Sequence, residues 1–355
     1  MSKSENKQRP TKISLRDVAQ QAGVSIGTAS NVFSGKTWVA PETRALVIST
    51  AAQIGYVPRI HPEEEPPVQS ETERAVTLGL IIRNTPIPLV SNPYYGPILH
   101  GAERVCSAQG MSLMYGVVDE QVSNINDFPI MIQRNLIQGL LVVDYFNPAF
   151  FSTLERSAIP FVMLEHKLDT IATDSVTIDD EYGGYLATHY LLQMGHLTPP
   201  PAMIASSRLL LSVTSRIKGY HQALSEAGVA PIGEYIRNGD LSVGGGYREM
   251  SALLDLPQPP SAVFCCNDLT AVGAFNALQE RGVKVPEECS LIGYDDIEMA
   301  SQLTPPLTTI RSETELLGMQ GVWHLLERLQ YPNLAPRHTL LRVSLIERNS
   351  VRKKV

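Results

Sequence analysis

The chain has 355 residues, 43% hydrophobic and 18% charged, with a formal net charge of −7; that length supports two or three domains around a large core. No run of 18 apolar residues occurs, so no membrane span is expected, and the polar start MSKSENKQRPTK lacks the apolar stretch of a signal peptide, which argues for a cytoplasmic protein. The four cysteines (Cys106, Cys265, Cys266, Cys289) show no CxxC or framework spacing and read as buried thiols of a reducing compartment.

Residues 13–35, ISLRDVAQQAGVSIGTASNVFSG, read as a helix-turn-helix. Leu15, Val18, Ala19 and Ala22 fall at i, i+3, i+4 and i+7 and line one face of a short helix. Ser14 with Asp17 has capping-box spacing. Gly23 supplies the turn, and Ser25 caps a second helix that turns Ala29, Val32 and Phe33 inward. Two such helices bury little alone, so Pro41 is expected to open a third, with Val47, Ala51 and Ile54 facing the core. The bland alternative is a small helical bundle with no nucleic-acid role.

The charge distribution argues against that alternative. Residues 1–60 carry eight basic side chains (Lys3, Lys7, Arg9, Lys12, Arg16, Lys36, Arg44, Arg59) against three acidic ones (Glu5, Asp17, Glu42), whereas the whole chain is −7. A basic head on an acidic body suits a head that meets phosphate and a body that does not. After it comes HPEEEPPVQS, residues 61–70. Pro62, Pro66 and Pro67 oppose helix, and Glu63, Glu64 and Glu65 would be repelled by a phosphate backbone. An extended linker is expected there.

From residue 76 onward, short apolar runs (76–82, 111–118, 139–143, 160–164, 202–205, 262–266, 291–294) alternate with helix-like segments (95–109, 182–194, 217–227, 269–281, 313–329). Apolar strands alternating with helices predict an α/β fold of parallel sheets covered on both sides. The length implies two doubly wound lobes in tandem. Such sheets bind ligands beyond the carboxyl ends of their strands, which directs attention to residues 83–95, 206–216, 267–268 and 295–296. The expected division is a DNA-binding head over residues 1–60, a linker over 61–75, a two-lobed body over 76–348 and a tail over 349–355.

Enzyme signatures are missing from the sequence. There is no GxGxxG and no GxxxxGK[ST], and the Gly244–Gly246 run lacks a phosphate-cradling context. His166, His189, His196 and His221 have no mutual metal spacing. No catalytic residue, cofactor or metal is expected. A sugar-binding transport or sensor protein is the nearer competitor, and the basic head and the missing signal peptide count against it.

Several stretches taken together resemble the lactose-repressor/galactose-repressor family of bacterial transcriptional regulators. They are LRDVAQQAGVSIGTASNVFSG, VAPETRALVISTAAQIGYVPR, NPYYGPILHGAE, TIDDEYGGYLATHYLLQMGH, SRIKGYHQAL, AVFCCNDLTAVGAFNALQERGVKVPEECSLIGYDD and PPLTTIRSETELLG. The resemblance implies a three-helix head on a periplasmic-binding-protein-like core, a small effector between the lobes, and a homodimer on a near-palindromic operator in double-stranded DNA. It implies base reading by Ile26, Gly27 and Asn31 and phosphate contacts by Ser25, Thr28, Ser30 and Tyr56. For the effector it points to Asn92, Tyr94, Tyr95, Ser212, Arg216, Leu241, Asn267 and Asp295, with Arg216 free to meet the ligand in the empty site. Asp295 also reads as a helix cap, and the two tyrosines as lobe core. Most relatives sense a carbohydrate; a nucleoside or purine is the alternative. The chain departs from the family at residues 61–70, where a basic, leucine-bearing hinge is usual, and at Leu241, where many relatives carry an aromatic side chain. No C-terminal heptads follow Arg348, so a dimer and not a tetramer is expected.

Overall fold

A computed structural model describes residues 14–33, 39–54, 56, 76–144, 146–168, 170–207 and 210–354. The linker expectation for residues 61–75 therefore lies outside the described residues. The chain divides into two compact units, Met1–Thr72 and Glu73–Val355.

The smaller unit holds helices α1 (Leu15–Gln21), α2 (Ile26–Phe33) and α3 (Pro41–Ile54). Ser14 N donates to Asp17 Oδ2 at 2.7 Å, the back-reaching half of the capping box. Gly23 takes φ +65°, a left-handed turn that a side chain would resist. Thr28 N donates to Ser25 Oγ at 3.0 Å and closes the start of α2. Val18, Ala19, Ala22, Ala29, Val32, Val39, Val47 and Ala51 form its core, with Phe33, Ile54 and Tyr56 packed against them.

The larger unit begins with β1 (Thr77–Arg83), α4 (Tyr95–Ala108), β2 (Ser112–Val118), α5 (Ile130–Gln133), β3 (Gly139–Val143), α6 (Pro148–Arg156), β4 (Phe161–Leu164) and β5 (Asp174–Ile178). It continues through α7 (Asp180–Gln193), β6 (Ala202–Ser206), α8 (Leu211–Glu226), β7 (Ile236–Gly239), α9 (Val243–Leu254), β8 (Ala262–Cys265), α10 (Asp268–Glu280), β9 (Ser290–Asp295), α11 (Glu298–Gln302) and β10 (Thr308–Arg311). It ends with α12 (Thr314–Gln330), β11 (His338–Leu341) and β12 (Ser344–Ile346). Two six-stranded sheets result, ordered β11-β5-β4-β3-β1-β2 in lobe one and β12-β10-β9-β8-β6-β7 in lobe two. Every strand pair is parallel except β10 with β12.

The lobes are not in tandem. The chain crosses between them near residues 179, 312 and 342, because α12 packs on α4 and on strands of lobe one. Its Leu317, Val322 and Leu325 join the lobe-one core. Five strands (β5, β7, β10, β11, β12) escaped the apolar-run reading. β10 buries Thr308 and Thr309, and β5 opens on buried Asp174 and Ser175. Their polar groups are satisfied by partners remote in sequence: Thr309 Oγ1 donates to Asp268 Oδ1 at 2.7 Å, and Arg337 N to Asp174 Oδ1 at 2.8 Å. The segment beyond Arg348, read as a tail, is stitched into lobe two. Ser350 is fully buried, and its Oγ donates to Leu291 O at 2.6 Å and accepts from Thr308 N at 2.8 Å.

The four cysteines are buried and reduced. Burial pushes the Cys266 and Cys289 thiols up to about 12, which leaves them inert at neutral pH.

Candidate functional site

A cavity of about 220 Å³ opens where the carboxyl ends of both sheets meet. All eight effector residues selected from the sequence line it, together with Arg83, Asp144, Glu165 and His166. The four additions sit at strand exits: Arg83 ends β1, Asp144 follows β3, and Glu165 and His166 follow β4. The strand-end rule applied to residues 139–143 and 160–164 as well would have found Asp144 and Glu165, each the first charged residue after an apolar run.

In lobe one, Asn92 Oδ1 accepts from the backbone N of Tyr94 and Tyr95 at 3.0 and 3.1 Å, so its carbonyl shapes the start of α4. The tyrosine hydroxyls then reach carboxylates. Tyr95 Oη donates to Asp144 Oδ2 at 2.9 Å, and Tyr94 Oη to Glu165 Oε2 at 2.5 Å. Arg83 donates to the same Asp144 oxygen through Nε at 3.1 Å and Nη2 at 2.8 Å. Tyr94 and Tyr95 meet edge to face, with centroids 5.1 Å apart. The rings pack on the lobe core, as the core reading of this pair expects, and both residues also line the cavity.

In lobe two, Arg216 is the central correction. It lies inside α8, not ahead of it, and is buried with its charge already met. Nε donates to Asp180 Oδ1 at 2.8 Å, Nη1 donates to Cys266 O, and Nη2 stands 3.5 Å from Asp295 Oδ1. The guanidinium carbon lies 3.5 Å from the centroid of the Tyr294 ring, within cation–π range. Glycines permit this arrangement. A Cβ on Gly184 would fall 2.2 Å from Arg216 O, and one on Gly219 would fall 2.0 Å from Glu181 O, so α7 and α8 cross backbone to backbone.

Asp295 takes φ +106°, a strained backbone for a residue with a side chain. The N-cap position of α11 is Ile297, so Asp295 does not cap that helix. Burial raises its carboxyl well above the usual range, against the pull of Arg216. Its Oδ1 makes no hydrogen bond among the described residues. Asn267 caps α10 through Thr270 N at 2.9 Å and donates to Leu241 O at 3.1 Å. Leu241, at φ +66°, turns that carbonyl toward Asn267 and forms an apolar wall with Val243 and Leu269.

The head presents a second surface. Ile26 (45% exposed), Gly27 and Ser30 are exposed on α2, and Ser25 is exposed just ahead of it, opposite buried Ala29 and Val32, with Thr28 and Asn31 half-buried beside them. Ser25 Oγ and Thr28 Oγ1 are 2.8 Å apart. Tyr56 packs its ring 5.5 Å from that of Phe33.

Residues 14–59 match the family described as bacterial regulatory proteins, lacI family, and residues 188–351 match a periplasmic binding protein-like domain. The chain is 31% identical to the HTH-type transcriptional repressor PurR of Pasteurella multocida, over 96% of this chain and 99% of that one. It is 30% identical to the ribose operon repressor of Haemophilus influenzae, over 95% and 98% of the two chains. Among solved structures it is similar to the lac repressor dimer bound to operator and the anti-inducer ONPF. That similarity has 26% identity and a TM-score of 0.69, and covers 96% of this chain and all of that one.

Proposed function

Because the chain belongs to the lacI family of bacterial regulatory proteins, and is thus a DNA-binding transcriptional repressor and not an enzyme, we propose that it governs a carbohydrate uptake or catabolism operon. It binds a near-palindromic operator as a homodimer and responds to an uncharged, hydroxyl-rich effector held between its lobes.

One observation carries the effector class: both arginines on the described cavity wall are already paired with the protein's own acids, Arg83 with Asp144 and Arg216 with Asp180. A phosphate or carboxylate effector would need a cation freed from a buried pair, at considerable cost. A sugar offers hydroxyl donors to Asp295 Oδ1 and an apolar face to Leu241 and the tyrosines. Bridging residues of both lobes, such a ligand would favour one lobe arrangement over another, which is how binding in the cleft biases the operator-binding state.

In the head, Ile26, Gly27 and Asn31 read bases in the major groove, Asn31 through adenine. Ser25, Thr28, Ser30 and Tyr56 hold phosphates and fix register.

The second reading, a purine or nucleoside effector, draws on the similarity to PurR. Calorimetry and thermal shift with D-ribose, cellobiose, adenosine, hypoxanthine and ribose 5-phosphate separate the two. The carbohydrate reading expects a neutral sugar to stabilise the body, by about 2.7 kcal/mol at a hundredfold excess over Kd, and the phosphate ester to do nothing. Stabilisation by hypoxanthine alone would replace it with the purine reading.

A further inference from the structure

We propose that Glu165 is a specificity residue of the interlobe cavity: it keeps its proton in the effector-free protein and offers Oε1–H to an uncharged lone pair on the effector. The proposal rests on the reading of this cavity as the effector site.

Glu165 leaves β4 at φ +65°, a left-handed backbone that side chains rarely adopt, and its N–H donates to Val176 O at 3.0 Å. One carboxyl oxygen is engaged: Oε2 accepts from Tyr94 Oη at 2.5 Å. The other, Oε1, is buried and makes no hydrogen bond among the described residues, although the side chain lines the cavity.

The charges around it decide the form it takes. Tyr94 and Tyr95 face it from the start of α4, Asp144 from the exit of β3, Asp180 from the start of α7, Arg216 from α8 and Asp295 from the end of β9, with His166 next in the chain. Asp144 and Asp180 oppose a further negative charge; Arg216 and the Tyr94 hydroxyl favour it. Arg216 is nonetheless shared between Asp180 and Asp295, and Arg83 is bound to Asp144. Burial is the largest influence, and together these push the Glu165 carboxyl up to about 8.

A neutral carboxyl is one acceptor and one donor. With Oε2 accepting from Tyr94, the proton sits on Oε1 as a buried donor awaiting an acceptor, and a ligand lone pair removes the penalty of leaving it unmet. Sugar hydroxyl and ring oxygens offer that lone pair, as do the ring nitrogens and carbonyls of a base. An ammonium does not.

The test uses the full chain and Glu165→Gln, which keeps the shape, the donor and the acceptor of the neutral acid. In the absence of effector, urea unfolding at pH 5 to 9 should show wild type losing stability relative to Glu165→Gln as pH rises, with the difference levelling near pH 8. A difference that does not vary with pH overturns the proposal directly. In calorimetry with D-ribose, cellobiose and hypoxanthine on both proteins, the probe that binds is followed from pH 7 to 9. Its affinity for wild type should fall more than threefold between pH 7 and 9 while that for Glu165→Gln stays level. Wild-type affinity that stays level or rises with pH, or Glu165→Gln affinity that falls as steeply as that of wild type, overturns it. Binding of no probe, with the stability difference still pH-dependent, overturns it through the effector reading it rests on. The sugar and purine arms identify which ligand supplies the lone pair.

Discussion

Arg216 Nε and Asp180 Oδ1 lie 2.8 Å apart, with side chains only 5% and 7% exposed. Asp180 opens α7, the first element after the chain passes from the lobe-one sheet to lobe two, and Arg216 sits one turn into α8. The pair thus anchors a cavity residue to the crossing between lobes. Removing one partner of a buried pair leaves an uncompensated charge, so Arg216→Ala should cost about 3–5 kcal/mol of body stability, besides abolishing any effector response. Arg216→Lys keeps the charge and loses the fork, and should fall between. Urea unfolding with calorimetry on the same samples separates the two effects. Full retention of stability in Arg216→Ala would mean that the pair contributes nothing net.

The sequence made this site half legible, for identifiable reasons. Asn92, Tyr94, Ser212 and Asn267 were visible because they follow apolar strands in a chain of recognisable type. The engagement of Arg216 was not visible, since its partners are 36 and 50 residues away and one of them is a backbone carbonyl. Glu165 and Asp144 also follow apolar runs but lie outside the stretches that resemble the family, so nothing else in the sequence singles them out. Likewise β10 hid behind threonines that are buried in the sheet and held by contacts such as Thr309 Oγ1 with Asp268 Oδ1 at 2.7 Å, and β11 is an edge strand whose His338 and Leu340 are exposed, so it shows no apolar run.

The crossing of α7 and α8 gives a steric prediction. Ala at position 184 would place its Cβ 2.2 Å from Arg216 O, a backbone atom that cannot move alone. Gly184→Ala should therefore separate the helices, lengthen the Arg216–Asp180 contact and destabilise the body by about 1–3 kcal/mol or more. Effector affinity should drop with it. An unchanged urea midpoint would show that the crossing tolerates the methyl group.

Asp268 gives a pH prediction with a definite sign. It is fully buried, and burial pushes its carboxyl up to about 7 from 3.8, against the hydrogen bonds from Thr309 Oγ1 and Ile297 N. Between those values the folded chain holds a proton that the unfolded chain releases, so stability falls as pH rises through that window. Asn does not titrate. Wild type should therefore lose ground relative to Asp268→Asn from about pH 4 to 7 and hold level above, as read from urea midpoints of both proteins. A difference that widens in the opposite direction would mean that Asp268 is ionised in the fold.

Two polar side chains of α2, Asn31 and Thr28, should fail in different ways. Asn31 stands on α2 beside exposed Ile26 and Gly27, with Ala29 and Val32 on the buried side of the same helix. A bidentate contact with adenine would make Asn31→Ala lose about 1–3 kcal/mol at one base position and relax preference there. Thr28 is tied to Ser25, at 2.8 Å between hydroxyl oxygens and 3.0 Å from its own N–H, and Ser25 caps the helix. Thr28→Ala should keep the cap, lose a phosphate partner and lower affinity evenly across sequences, because phosphate contacts carry no sequence information. Selection of binding sites from a random pool, at two salt concentrations, distinguishes them: the pattern of selected bases should change for Asn31→Ala and only overall affinity for Thr28→Ala. If Asn31→Ala selects the wild-type site with undiminished preference at every position, Asn31 reads no base, and specificity must come from Ile26 and the shape of the groove.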